Sequence, residues 1–516
     1  MVSAKSLGAQ ETVHIPGVSV TLLNGIIGSS LILFGSFGIG WLASVSPLNR
    51  DAFFIVMRTE PVAVILSSVI LCLGFWVLFR AWWVLGQLLK KWEDGTLRVV
   101  RKAVWLWSIP LLVTLPIVSR DVFAYIGQGR LVEAGQDPYV DGISSLNNWF
   151  QLGTDTMWAQ DGTPYGPLFL TIEYLVVKVT GGSTDAAILF FRAIAFIGVL
   201  LTLRYLPKLA QLHSTSGAKA AWVVVANPLF LINFVASAHN DSLMVGLSVW
   251  AVYLACKQKG IMAVVVLTAS IGVKPITLVL LPFIGLLWAG KDASWPRRIL
   301  YWFYSGMILL VLMALVGMLN GYWFGWLKVM LFTGTGFSVF APVGMIVILA
   351  STLVSSIGMG TDWILPVAKL LGRLIGVALA FVVIFRGRYE RLVLRLAVGF
   401  SAIVVLSPVI QPWYLLWLLP FYAAVGIKEN WQMLWVYVTT MFFVAYQAAD
   451  QLFIWQFLQE DLVPAVQLIS WTVSAACLLF LLFVDPKTRR IIPELLFSIK
   501  WVREKWGSFS NRKKQA

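Results

Sequence analysis

Apolar runs long enough to cross a bilayer recur along almost the whole chain, broken by short polar or basic connections. The pattern predicts membrane-spanning helices over 20–42, 61–85, 103–118, 186–205, 220–234, 243–255, 261–273, 276–289, 299–319, 370–385, 394–409, 415–425, 431–445 and 465–484. A helix needs about 20 residues to cross the hydrocarbon layer, so the expected fold class is an all-α polytopic integral membrane protein with about 13–15 crossings. Tryptophan and tyrosine gather at the run ends, where their rings sit at membrane–water interfaces.

Two stretches depart from the pattern. Residues 321–369 hold an apolar but short run at 342–353, followed by Lys369 and Arg373, and read as an outer loop with a re-entrant or surface helix. Residues 164–179 are apolar, but Gly162 and Pro164 bracket the start, and Lys178, Gly181 and Gly182 mark the end. Counting this stretch as a crossing would move Arg204/Lys208 and Lys257/Lys259 to the other side of the membrane from the remaining basic clusters. It is therefore read as a helix at the outer interface, which makes 119–185 one large outer loop carrying two surface helices.

Composition agrees with this organisation. The chain is 59% hydrophobic and 12% charged, with a mean hydropathy of +0.83. A net charge of +15 would suggest a nucleic-acid partner in a soluble protein. Here the positive-inside rule accounts for it, and no nucleic-acid module is present. With the N-terminus in the cytoplasm, the clusters at Lys90/Lys91/Arg98/Arg101/Lys102, Lys291/Arg297/Arg298, Arg386/Arg388/Arg391/Arg395 and Lys487/Arg489/Arg490 all face inward. The expected location is the cell membrane, with both termini cytoplasmic. Residues 1–19 form a polar tail with no cleavable signal peptide, 20–485 a single transmembrane domain and 486–516 a basic tail. Residues 491–506 of that tail have a helical period suited to an anionic inner leaflet. Cys72, Cys256 and Cys477 lie in apolar runs and read as core residues rather than disulfide or metal ligands.

Polar motifs then fall at the outer ends of spans. Ser119-Arg120-Asp121 follows an apolar run directly, and an ionisable residue at such a position is a functional-site candidate. Tyr125, Gln128, Arg130, Asp137 and Tyr139 come after it, then Tyr165-Gly166-Pro167, Arg192, His239-Asn240-Asp241, Lys274-Pro275 and Gln411-Pro412-Trp413-Tyr414. Their shared side suggests one pocket. Asp121 has the attributes of a general base, the competing reading being a structural salt bridge. Arg192 and Lys274, in apolar surroundings, suit the phosphate of a lipid-borne leaving group, or else snorkel to headgroups. His239, Asn240 and Asp241 offer donors and acceptors for sugar hydroxyls. Trp413 and Tyr414 could stack on a sugar or anchor the interface. Asp121, Asp137 and Asp241 could in principle hold a divalent cation through oxygens, but no spacing demands it. No metal or other cofactor is expected.

Read together, these motifs resemble those of polyprenyl-phosphate-mannose-dependent mannosyltransferases, and most closely the actinobacterial α-1,6-mannosyltransferase group. The likeness rests on residues 119–125, 128–130, 135–139, Thr163-Pro164-Tyr165-Gly166-Pro167-Leu168, 239–244, Lys274-Pro275 and 411–417, in the same order. The resemblance implies the GT-C glycosyltransferase fold, a polyprenyl-phosphate-linked sugar donor, a glycan or glycolipid acceptor and an extracytoplasmic active site set among membrane lipids. It also implies Asp121 as base in an inverting transfer, with Arg192 and Lys274 at the donor phosphate. His239, Asn240, Gln128 and Gln411 would hold hydroxyls. The rival readings are a transporter or lipid-linked sugar flippase, and an envelope scaffold that kept the shell without the activity. Transporters place charges near the bilayer midplane at broken helices of repeated halves, whereas here the charges crowd span ends and no repeat is visible.

Overall fold

The computed structural model describes residues 15–156, 158–332, 338, 341–450 and 462–498. Among these residues all regular structure is helical. The chain runs through α1 (Val18–Ile39), α2 (Ala52–Thr59), α3 (Pro61–Leu88), α4 (Thr96–Leu111), α5 (Asp121–Glu133), α6 (Pro167–Val179), α7 (Thr184–Leu212), α8 (Gly217–Val224) and α9 (Pro228–Leu231). It continues through α10 (Asp241–Cys256), α11 (Gly260–Val273), α12 (Leu281–Ala289), α13 (Trp295–Asn320), α14 (Gly325–Phe332), α15 (Pro342–Ser356), α16 (Ile364–Phe385), α17 (Leu392–Val405), α18 (Leu415–Val425), α19 (Trp431–Asp450), α20 (Leu462–Leu479) and α21 (Ile491–Ser498). The helix expected over 491–506 is present as far as Ser498, and its remainder lies outside the described residues.

Among the described residues, six helical stretches are long and apolar enough to cross a membrane unaided: α1, α3, α7, α13, α16 and Leu462–Val484. A further candidate is the pair Gly217–Val224 and Pro228–Ala236, bent by 58°. Several runs that the sequence presents as crossings are shorter helices, such as α10, α11 and Pro412–Val425. Prolines open the segment after several of these breaks. Pro228, Pro275 and Pro412 each lack a backbone donor and open a new helical segment instead of continuing the old one. The expected crossing over 103–118 is likewise shortened: α4 ends at Leu111, just past Pro110, and 112–120 is irregular with Val118 at φ 57°.

The long helices divide by environment. In their most apolar stretches α3 and α7 are each 56% buried, whereas α13 and α16 are 17% buried and present apolar side chains outward, as lipid-facing helices do. The inner helices carry one continuous core through α1, α3, α7, α10 and α11. α7 and α10 pack along each other at unusually short range: a Cβ on Gly198 would lie 2.2 Å from the backbone of Ser242. The two helices of the 119–185 segment exist as expected, but α5 is not a surface helix. Residues 122–129 and Leu131 are buried, and the helix is wedged against α6 and α7.

Candidate active site

Three breaks in helical structure meet at one end of the bundle. The first is the irregular segment 112–120 that delivers Asp121 to the start of α5. The second is the π-helical turn Ile232–Ala236 followed by Ala238 at φ 57°, which delivers His239 and Asn240 to the start of α10. The third is Lys274, extended at φ −145° between α11 and Pro275. Irregular backbone inside a membrane protein is tolerated only where its polar groups are satisfied. The carbonyl of Pro116 accepts from the Trp41 backbone N–H at 2.7 Å, and that of Ile117 from the Ser237 hydroxyl at 2.6 Å.

Arg192 does the rest of this work. Its guanidinium donates to the carbonyls of Leu112 (3.0 Å), Val235 (3.2 Å) and Ala236 (2.8 Å). It thereby ties the break that carries Asp121 to the break that carries His239. The sequence set Arg192 at a donor phosphate; in the structure two interrupted helices leave carbonyl oxygens without helical donors, and the fork of Arg192 donates to them. Arg120 is used in the same way. It donates to the carbonyls of Gly153 (2.9 and 2.7 Å) and Thr154 (2.6 Å), lies 3.7 Å from Asp155 and stacks 3.6 Å above Trp41, so it pins the 150–155 turn rather than lining the pocket.

What converges is a row of two carboxylates, an imidazole and an ammonium. His239 Nδ1 lies 3.3 Å from Asp121 Oδ2 and 3.7 Å from Asp241 Oδ2, and Asp241 Oδ1 accepts from Lys274 Nζ at 2.8 Å. Nδ1 of His239 therefore faces both carboxylates. The exposures separate the roles. His239 and Asp241 are 0% exposed, while Asp121 retains 16% and Lys274 12%. Burial by itself would raise the Asp121 carboxyl, but His239, Lys274 and Ser119 together hold it below the ordinary carboxylate range.

Aromatic rings build the walls. Lys274 Nζ lies 4.9 to 5.6 Å from the ring centres of Trp417, Tyr414 and Tyr165, an arrangement that favours a cation. Trp413 lies on His239 with ring centres 4.1 Å apart. Tyr125 sits among Tyr165, Phe169 and Phe191, and its hydroxyl accepts from the Asn240 backbone N–H at 3.2 Å. The Tyr165 turn reaches this place because Gly166 abuts the end of α11, where a Cβ would lie 2.4 Å from the Gly272 carbonyl oxygen. Buried polar atoms cluster here without hydrogen-bond partners among the described residues: His239 Nε2, both amide atoms of Asn240, and the indole nitrogens of Trp413 and Trp417. Such atoms are costly to bury unpaired, so their clustering makes this a candidate polar binding site.

The other sequence candidates have local duties. Asp137 Oδ1 accepts from the Tyr139 backbone N–H at 2.9 Å, and the Tyr139 hydroxyl donates to the Tyr165 carbonyl at 3.1 Å. Arg130 is half-buried on α5 near Gly182. Gln128 is buried, and its Oε1 has no partner among the described residues. Gln411 precedes the Pro412–Tyr414 turn, and its carbonyl accepts from the Tyr414 N–H. Asp137 thus stands in its own turn, and among the described residues no three His, Cys, Asp or Glu side chains are grouped to hold a metal.

Two groups were not among the candidates. Trp417 lies one helical turn after Tyr414, a spacing that places both rings over Lys274 and was available in the sequence. Glu173 is 0% exposed in α6, with neither carboxyl oxygen partnered among the described residues, and burial pushes its carboxyl well above the ordinary range. A lone acid in an apolar helix was its only signal.

Comparison with known proteins places the chain in a family. A family model described as alpha-(1->6)-mannopyranosyltransferase, N-terminal domain, matches residues 22–290, and one described as the MptB C-terminal domain matches 340–479. The chain is 28% identical to alpha-(1->6)-mannopyranosyltransferase A of Mycobacterium tuberculosis, over 76% of this chain and 78% of that one. It is 31% identical to alpha-(1->6)-mannopyranosyltransferase A of Corynebacterium glutamicum, over 50% and 54%, and 25% identical to alpha-(1->6)-mannopyranosyltransferase B of the same organism, over 77% and 71%. No solved structure matches. The first family match takes in Asp121, Arg192, His239, Asp241 and Lys274 together, and the chain belongs to the alpha-(1->6)-mannopyranosyltransferase family.

Proposed function

We propose that this protein transfers mannose from a polyprenyl-phosphate-linked donor to a glycan or glycolipid acceptor at the extracytoplasmic face, with inversion at the anomeric carbon and Asp121 as the base. The names of its relatives supply the sugar and the α-(1→6) linkage. One observation carries the assignment of roles. Of the two carboxylates beside His239, Asp241 is fully buried and committed to Lys274, whereas Asp121 keeps an open side.

In this reading the acceptor hydroxyl hydrogen-bonds to Asp121 within about 2.6–3.2 Å. Its oxygen attacks the anomeric carbon of a β-linked mannosyl phosphate from the face opposite the phosphate. The new carbon–oxygen bond gives an α-mannoside, the proton passes to Asp121, and the bond to phosphate breaks with its electron pair on the phosphate oxygen. Lys274, with donors left beyond its contact to Asp241, stabilises that oxygen in low-dielectric surroundings. His239 aligns Asp121, and Asn240 offers its amide to sugar hydroxyls.

The extracytoplasmic assignment rests on charge. Arg98, Arg101 and Lys102 sit at the start of α4, whose other end leads to Asp121, and Lys257 and Lys259 follow the end of α10 opposite Asp241. The deciding experiment is transfer by purified Asp121→Asn in a mannosyl-lipid assay. Turnover is expected to fall by roughly 10²–10⁴-fold with donor binding and yield retained, and normal turnover would refute the role. Because Asp121 is active ionised and its pKa is lowered, the acid limb it sets should lie below the ordinary carboxylate range.

A further inference from the structure

The far end of the bundle holds a second chemical feature. α17 leads at its C-terminal end to the Gln411–Tyr414 turn against His239, so its start lies about 20 Å away from the site along its 14 residues. Around that start, between the end of α16 and α17, is a cavity of about 570 Å³ rimmed by Arg386, Arg388, Arg391 and Arg395 and walled by Val382 and Val398.

The arginines divide by what they bind. Arg395 is spent on its own fold, donating to the carbonyls of Val383 (2.9 Å), Ile384 (2.6 Å), Gly387 (3.2 Å) and Arg388 (3.4 Å) at the end of α16. Arg386, Arg388 and Arg391 are exposed and, among the described residues, none has a carboxylate within 4.0 Å, although Arg388 lies close enough to Glu390 to act on its charge. The acid in the same turn, Glu390, is taken by Lys291 at 2.8 Å. Arg298 adds a further positive charge close to Arg395. Beside this rim the surface is apolar and exposed: Phe381 is 60%, Val382 46% and Val398 41% exposed. Positive-inside sorting explains basic residues at this end, but it does not call for a concave site with cations at the mouth and hydrocarbon-compatible walls running away from it.

We propose that this cavity is a binding site for an anionic glycerophospholipid. The phosphate is gripped by the guanidinium groups of Arg386, Arg388 and Arg391, and an acyl chain runs along Val382 and Val398 into the bilayer. Guanidinium pairs with phosphate oxygens in bidentate fashion, and the apolar wall adds what a free phosphate could not use. The site is independent of the transfer reaction, so it stands or falls apart from the reading of Asp121.

The test uses the delipidated full-length protein in detergent, titrated with phosphatidylglycerol, phosphatidylcholine and inorganic phosphate, with bound lipid counted by native mass spectrometry. Phosphatidylglycerol should bind at least about tenfold more tightly than phosphatidylcholine, and phosphate should compete poorly. The triple variant Arg386→Gln/Arg388→Gln/Arg391→Gln should lose that preference, while Arg297→Gln, outside the cavity, keeps it. Val382→Trp, which fills the wall and leaves the charges, should also weaken retention, and it guards against a triple variant that folds poorly. Equal retention of both lipids, unchanged binding by the triple or the Val382 variant, or equally potent competition by phosphate would overturn the assignment.

Discussion

Arg192 and Glu173 illustrate how much the meaning of a charged residue depends on what it touches. A cation in a greasy run invites a phosphate, yet Arg192 is consumed by three carbonyls of two broken helices. Arg192→Lys cannot reproduce that fork. It should cost roughly 3–5 kcal/mol of stability, seen as a fall in melting temperature and yield. A phosphate ligand would instead give a well-folded variant with a raised KM for the donor. Glu173 has the opposite character, an acid whose oxygens have no hydrogen-bond partner among the described residues. Its folded-state pKa is raised, so the native protein binds its proton more tightly than the unfolded chain does. Stability from this group is complete below the unfolded glutamate pKa and declines as pH rises toward the folded one. Glu173→Gln should flatten that decline and raise the melting temperature at neutral pH, measured in thermal scans at pH 5, 6 and 7.

At the scale of elements, the site depends on helices that stop. α4, the π-helical turn after α9, and α11 each end close to the cluster, and the breaks carry Asp121, His239 and Lys274 to it. The counterpart is close packing of the helices that follow. Gly198 of α7 lets the start of α10, with Asp241 and Ser242, come to backbone contact. Gly198→Ala should push α10 away and cost about 1–3 kcal/mol. Because it moves Asp241 relative to Lys274, its loss of turnover should exceed its loss of folded protein when both are measured on the same preparation. The prolines beside the first and third breaks are visible in the sequence, whereas the depth at which each break falls is not. A run such as 103–118 reads as continuous because its residues are apolar, and only packing against Trp41, Arg192 and Ser237 shows that its end, from residue 112, is unwound.

For the molecule as a whole, the proposed orientation can be measured directly. Asn147→Cys, exposed in the 119–185 segment, should react with a membrane-impermeant maleimide on intact cells. Lys487→Cys, exposed beyond the last crossing, should react only after permeabilisation. Reversed labelling would place the cluster on the cytoplasmic side. Hydropathy determined the all-α polytopic class because transfer of apolar side chains out of water is additive along a chain and needs no knowledge of neighbours. The order of motifs likewise pointed to Asp121, His239, Asp241 and Lys274, since an ionisable residue at a span end is expensive wherever it sits. Tertiary structure alone decided which of those charges remain available. Asp121 and Lys274 keep an open side, while Arg120 and Arg192 are taken up by backbone carbonyls. Hydrogen-bond partners at 2.6–3.2 Å come from residues dozens of positions apart. No local pattern encodes which carbonyls a broken helix will leave bare, or which side chain will reach them.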